Sequence, residues 1–149
     1  DGQYYYVDTT WGDPGYRELQ GEDVTKDFTA YEYLCCSGQM LNQTHTPDST
    51  YPLPECTDTS LEYYRMKGRY LETADTGMTL EIMKQAYNDG KKNIRIQYAS
   101  SDLMNQILAQ LQADLGWQMM DYIQAQSGKT PQLWSEYQSA SCVVIVYWE

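Results

Sequence analysis

The sequence has 149 residues, of which 42% are hydrophobic and 21% charged. This composition fits one globular domain or two small ones and excludes a disordered chain. The formal net charge of −11 reflects 21 acidic against 10 basic side chains. That balance argues against binding to nucleic acid or to an anionic membrane surface, because both need clustered Lys and Arg. No apolar run approaches the roughly 18 residues of a membrane-spanning helix.

The first predicted elements are two strands separated by a turn-rich, acidic stretch. Asp1-Gly2 is typical of a tight hairpin turn, and the residues from Gln3 to Thr10 alternate as a strand whose hairpin partner would precede the turn. A second strand is predicted from Phe28 to Cys36. Residues 37–60 are rich in Thr, Pro, Asp and Ser, which predicts a long ordered loop or linker, or a short helix at Gly38–Thr44 followed by extended chain.

The second half of the chain alternates between strand and helix patterns. The first predicted elements are a strand or small hairpin at 61–72, a helix at 79–88 that stops at Asp89-Gly90, and a strand at 93–99. A helix capped by Ser100 or Ser101 follows, and Gly116 interrupts it before a further helical segment at 117–126. The last predicted element is a strand at 139–148. In the strand at 93–99, Arg95 and Gln97 are predicted to face outward. The last strand is nearly all apolar, which favours the centre of a sheet.

These patterns predict an α+β protein with two parts. Residues 61–149 are expected to form a small β-α-β-α(α)-β domain. Residues 1–60 are expected to form a separate region that contains the first two strands.

Asp8 is the first candidate functional residue, because Asp is disfavoured in the middle of a strand. It could be a solvent-facing acid or a cap of the loop after it. Alternatively, it could orient a histidine on a neighbouring strand, as the third member of a nucleophile–base–acid triad. His45 is the only histidine, and a lone histidine in a loop is expected to be polar surface. The acidic clusters lack the spacing of a calcium loop and are expected to be solvated, so neither a metal nor a cofactor is predicted.

The four cysteines fit no zinc-binding spacing. Cys142 begins an apolar strand and is expected to be a core residue. Cys35 and Cys36 lie within the alternation of the predicted second strand, so neither is placed as an activated nucleophile. One of these two could pair with Cys56 across the intervening loop, with Cys35 as the candidate. Such a disulfide would imply an oxidising compartment.

The stretch YYYVDTTWGDP, residues 4–14, resembles the segment of transglutaminase-like (papain-like thiol) domains that carries the triad aspartate. In that family, the strand with the catalytic histidine enters a short turn. The return strand then presents an aromatic–hydrophobic–Asp–x–Thr–Trp motif and an Asp-Pro turn. Residues 31–57 (YEYLCCSGQMLNQTHTPDSTYPLPECT) resemble the segment on the C-terminal side of this motif in secreted or cell-surface members from Gram-positive bacteria. Asp8 matches the triad aspartate, and the flanking frame is matched by Tyr6, Val7, Thr10, Trp11, Asp13 and Pro14.

The resemblance implies a cysteine-based acyltransferase or protease that attacks a glutamine or peptide carbonyl. Asp8 would accept the imidazole N–H of the base. The family's cysteine and histidine would precede Asp1, and neither His45 nor any of the four cysteines corresponds to them. We therefore expect residues 1–60 to be the C-terminal part of a catalytic core and residues 61–149 an accessory domain. Alone, the chain is expected to be inactive, and a protein or peptide substrate would bind through the upstream half.

A second hypothesis is a non-catalytic protein- or glycan-binding or structural module. The sequence contains 15 tyrosines, and tyrosine-rich strands could present a binding surface. Both hypotheses predict an extracellular or cell-surface location, and the second adds a contact with the cell wall.

Overall fold

The computed structural model describes residues 3–12 and 29–149 of the chain. The predicted hairpin turn at Asp1-Gly2 and the acidic stretch at 13–28 lie outside these residues. The chain divides into two compact units, Asp1–Gly68 and Arg69–Glu149. Helices and a mixed four-stranded sheet confirm the α+β class. Among the described residues, no helix has the length and apolar character needed to cross a membrane.

The first unit is built from short helical segments rather than from strands. They are α1 (Thr9–Gly12), a 3-10 helix (Tyr31–Tyr33), α2 (Gly38–Leu41) and α3 (Tyr63–Met66). Of the two strands predicted here, the described residues retain one antiparallel bridge between Tyr6 and Cys36. Those strand predictions are wrong for two local reasons. The Asp8 side chain bonds the backbone of the residues after it and starts α1, and Cys35 adopts a left-handed backbone with φ of 51°.

The short helix expected at the start of the long loop is confirmed as α2. Ser37 caps it by accepting the Met40 N–H at 3.2 Å. The buried Glu62 carboxylate accepts the Ser37 hydroxyl at 2.6 Å, and Tyr63 stacks on Tyr31 with ring centroids 4.3 Å apart. These contacts bring α3 into the first unit. The boundary between units therefore follows Gly68 instead of residue 60.

The second unit is a four-stranded sheet with three helices. Its strands are β1 (Tyr70–Leu71), β2 (Asn93–Tyr98), β3 (Leu133–Gln138) and β4 (Val143–Trp148), and its helices are α4 (Thr76–Asn88), α5 (Ser101–Leu111) and α6 (Asp114–Ser127). The strand order is β1-β2-β4-β3, with β1 parallel to β2 and the remaining pairs antiparallel. The last strand lies between two others and is buried along its whole length. Its predicted central position is confirmed.

Several boundaries in this unit differ from the sequence prediction. The strand or hairpin predicted at 61–72 is α3 followed by the two-residue β1. The break between the last two helices falls at 112–113, so Gly116 lies inside α6. Strand β3 was missed because its sequence, LWSEYQ, carries little apolar alternation at the edge of the sheet. The strand predicted from residue 139 begins at Val143, after Cys142 with φ of 54°.

The helix ends follow their capping residues. Ser100 caps α5 as predicted, accepting the Leu103 N–H at 3.3 Å. Helix α4 starts three residues earlier than predicted because Asp75 caps it through the Met78 N–H at 2.8 Å. It stops at Gly90, whose φ is 74°.

The predicted inward face of β2 is confirmed, and the predicted outward face is wrong. Ile94, Ile96 and Tyr98 belong to the hydrophobic core. Arg95 and Gln97 are also buried. The amide of Gln97 donates to the carbonyl of Ser141 at 3.0 Å, which satisfies that polar group inside the protein.

Gly116 offers a direct test of the packing between α5 and α6. A Cβ atom added there would lie 2.1 Å from the carbonyl oxygen of Leu111. Gly116→Ala should therefore destabilise the second unit by about 1–3 kcal/mol, despite the better helix propensity of Ala. Calorimetric unfolding would measure the loss. Gly77→Ala in α4 is the control and should cost less, since its nearest neighbour is a side-chain oxygen of Asp75 at 3.3 Å and not a backbone carbonyl. Equal melting temperatures for the two variants would contradict this packing.

Candidate functional site

Asp8 is held by backbone hydrogen bonds on several sides. Its Oδ1 accepts the N–H groups of Thr10 and Trp11, each at 2.9 Å. Its own N–H donates to the Tyr33 carbonyl at 3.1 Å, and its carbonyl accepts the Gly12 N–H at 3.1 Å. Asp8 is thus the N-terminal cap of α1. A capping role was one of the explanations that the sequence allowed for this residue. One carboxylate oxygen remains for other contacts.

That second oxygen faces His45. Nε2 of His45 lies 3.0 Å from Oδ2 of Asp8, and the two side chains are 22% and 24% exposed. Nε2 itself is buried and makes no hydrogen bond with the described residues. The contact is therefore a close, partly buried electrostatic one. The prediction that His45 would be polar surface is wrong.

The other ring nitrogen of His45 is bound by a hydroxyl relay. Thr44 Oγ1 lies 2.8 Å from Nδ1, and the Tyr33 hydroxyl donates to Thr44 Oγ1 at 3.1 Å. Burial raises the pKa of Tyr33, so this phenol remains a donor at neutral pH. Thr44 can then direct its own hydrogen to Nδ1, since its alternative acceptor, the Leu41 carbonyl, is farther away at 3.4 Å. These contacts are compatible with a neutral imidazole whose proton lies on Nε2, on the side of Asp8.

Two aromatic side chains frame the imidazole. Its ring centroid lies 5.0 Å from that of Trp11 and 5.5 Å from that of Tyr33, both in edge-on geometry. The Trp11 ring is edge-on to Tyr33 at 5.9 Å and is itself 56% exposed. We call Asp8, Trp11, Tyr33, Thr44 and His45 the Asp8 cluster. Its carboxylate and imidazole are held in place by the backbone, by hydroxyls and by rings.

The predicted frame residues divide between this cluster and other contacts. Thr10 and Trp11 bind the Asp8 carboxylate through their backbone N–H groups. Tyr6 instead pairs with Cys36 through the backbone, and its hydroxyl donates to the Pro54 carbonyl. Tyr6 therefore supports the fold of the first unit.

All four cysteines are free thiols, so the suggested pairing of Cys35 with Cys56 is not formed. Cys56 is buried with its Sγ 3.6 Å from the Pro54 carbonyl, whereas Cys35 is half-exposed on a left-handed backbone. Burial raises the pKa of Cys36 to about 11 and also raises the pKa of Cys142. These two cysteines are neutral thiols at physiological pH and are unsuited to nucleophilic attack.

Two acids outside the cluster have structural partners. Asp48 accepts the Thr50 N–H at 2.8 Å, and this bond lowers the pKa of Asp48. Asp58 accepts the Tyr5 hydroxyl at 2.7 Å, which lowers the pKa of Asp58. Within residues 3–12 and 29–149, no group of three or more His, Cys, Asp or Glu residues is arranged to hold a metal ion.

No protein-family model matches the chain, and a search of curated proteins finds no match.

The capping bond of Asp8 can be separated from its charge by substitution. Asn caps a helix as well as Asp does, whereas Ala does not. Asp8→Ala should therefore lower the free energy of unfolding of the first unit by about 1 kcal/mol. Asp8→Asn should lower it less, because the amide oxygen still accepts both N–H groups. Urea unfolding would measure both losses, and an equal or larger loss for Asn would contradict the capping account.

The thiol state can be counted directly. With a chromogenic disulfide reagent at pH 8, Cys36 and Cys56 should react slowly in the native protein because both are buried. After unfolding without reductant, all four cysteines should react. A count of two thiols in the unfolded protein would show that a disulfide had formed.

Proposed function

We propose that this chain is the acid-bearing part of a transglutaminase-like thiol acyltransferase or cysteine protease. Asp8 is the carboxylate that orients the catalytic imidazole, and the chain by itself does not turn over substrate. The observation that carries the proposal is the Asp8 carboxylate, fixed on one oxygen by two backbone N–H groups and directed at an imidazole on the other.

This carboxylate has the properties that a triad acid needs. A triad acid must be ionised and held still, so that it keeps the base in one orientation and stabilises the imidazolium that forms. Two N–H groups at the start of α1 hold Oδ1 in place. A carboxylate offers about four acceptor positions. Among the described residues, the N–H groups of Thr10 and Trp11 occupy two of them, both on Oδ1, and Nε2 of His45 lies beside Oδ2. Oδ2 is the oxygen that would meet the base of the complete enzyme.

We do not assign His45 as that base, because its two ring nitrogens face Asp8 and Thr44. A triad base contacts the acid through one nitrogen and the nucleophile through the other. Nε2 of His45 faces Asp8 and Nδ1 faces Thr44, so no nitrogen is free for a thiol. The raised pKa values of Cys36 and Cys142 also argue against either as the nucleophile.

In the complete enzyme, a thiolate would attack the carboxamide or peptide carbonyl, and the imidazolium would give its proton to the departing amine. The resulting thioester would pass its acyl group to an amine or to water, which yields transfer or hydrolysis. Asp8 would remain ionised throughout and hold the imidazole in its productive tautomer.

The tyrosine distribution gives less support to a binding module. Tyr33 and Tyr64 are buried, and Tyr31 stacks face to face on Tyr63. These four rings are engaged within the first unit, whereas Tyr4, Tyr51 and Tyr137 are exposed. The free cysteines also remove the disulfide argument for an oxidising compartment. A cell-surface location rests on the family resemblance alone.

The coding sequence upstream of Asp1 is the first test. We expect a strand with a His-x-Trp motif shortly before Asp1 and a helix with a cysteine farther upstream. An upstream sequence without this histidine and cysteine would overturn the proposal.

The second test is kinetic and uses the full-length product of the gene. Asp8→Asn should reduce kcat for amine incorporation or peptide hydrolysis by up to about 10⁴-fold, because the base loses its orienting charge. Asp48→Asn is the matched control, since Asp48 bonds a local turn, and should keep full activity. Undiminished activity of Asp8→Asn would contradict the assignment.

A further inference from the structure

We propose that His45 is a positioning residue for Asp8. Its imidazole fixes the second carboxylate oxygen, so that Asp8 presents one defined acceptor position to the catalytic base. The contact is a property of this chain, and its catalytic consequence rests on the proposed function as a thiol acyltransferase or protease.

The need for a second contact follows from the geometry of the carboxylate. The N–H groups of Thr10 and Trp11 both bind Oδ1, so neither of them holds Oδ2. Nε2 of His45 is 3.0 Å from Oδ2 and supplies the missing constraint. With both oxygens held, the remaining lone pair of Oδ2 points in one direction.

His45 can act in this way because it is itself held. The Tyr33 hydroxyl donates to Thr44, and Thr44 contacts Nδ1, which is the arrangement expected when the ring proton lies on Nε2. Trp11 and Tyr33 pack edge-on against the ring. Nε2 is buried, which limits the screening of its interaction with the carboxylate by water.

Trp11 and Tyr33 also connect the imidazole of His45 to Asp8, the cap of α1. Trp11 provides an N–H group to Asp8 Oδ1 and an edge contact to His45. Tyr33 provides a carbonyl to the Asp8 N–H and an edge contact to the same ring. Each of these two aromatics touches both members of the pair, so a change in the imidazole is transmitted to the carboxylate.

The first test examines the contact in this chain by nitrogen-resolved NMR. The single histidine makes the imidazole signals unambiguous. We expect the Nε2–H tautomer, with Nε2–H exchange roughly fivefold to tenfold faster in Asp8→Asn, which keeps the cap and removes the charge. Asp48→Asn should leave the exchange rate unchanged. The Nδ1–H tautomer, or equal exchange in Asp8→Asn and the wild type, would overturn the inference whatever the complete enzyme does.

The second test examines the catalytic consequence in the full-length gene product. His45→Phe keeps a ring between Trp11 and Tyr33 but has no donor, and kcat should fall about 10- to 100-fold with KM little changed. His45→Gln places an amide donor near the position of Nε2 and should restore most of that loss. If the ring of His45 only filled space, His45→Phe would keep a higher kcat than His45→Gln, which would contradict the positioning role.

The outcomes separate the two proposals. If His45→Phe retains full kcat while Asp8→Asn loses it, the positioning role fails and the triad assignment of Asp8 stands. If Asp8→Asn retains full kcat, the proposed function fails, and the catalytic half of this inference fails with it. The NMR result then still decides whether the imidazole holds the carboxylate.

Discussion

The carboxylate of Asp8 is the interaction on which the organisation of the candidate site depends. Through Oδ1 it starts α1, and through Oδ2 it meets the imidazole of His45, which lies far away in the sequence. Because α1 carries Trp11, the same cap that ends the extended chain also places an aromatic edge against that imidazole. Local backbone chemistry and a long-range polar contact therefore depend on a single side chain.

The parts of the fold that could be predicted are the long strands and helices, in which burial makes apolar residues recur at a regular spacing. Strand β4 and helices α4 and α5 have long apolar patterns, and the core contains the residues that those patterns single out. Strand β3 could not be found in this way, since an edge strand buries little and keeps a mixed sequence. Arg95 and Gln97 alternate like surface residues, yet both are buried. Alternation in a sequence shows which residues are polar. Burial of a polar residue also depends on whether its side chain finds a hydrogen-bond partner inside the protein.

In the candidate site, one residue could be predicted from the sequence, but its main contact could not. Asp8 could be singled out from the sequence because an acid within an aromatic stretch requires an explanation. Its contact with His45 could not, because 36 residues lie between them and no periodic pattern connects a cap to a loop histidine. The short helices of the first unit were also misassigned, since segments of three or four residues are set by capping bonds and left-handed residues rather than by propensity.

If Asp8 and His45 act as one energetic unit, a double-mutant cycle will measure their coupling. The cycle would combine Asp8→Asn with His45→Phe in this chain and measure the free energy of unfolding of the first unit for all four proteins. The account predicts that the double variant loses less stability than the sum of the single variants, by about 0.5 kcal/mol or more. Losses that add within about 0.3 kcal/mol would show that the two residues are neighbours without a shared interaction, and would contradict the account.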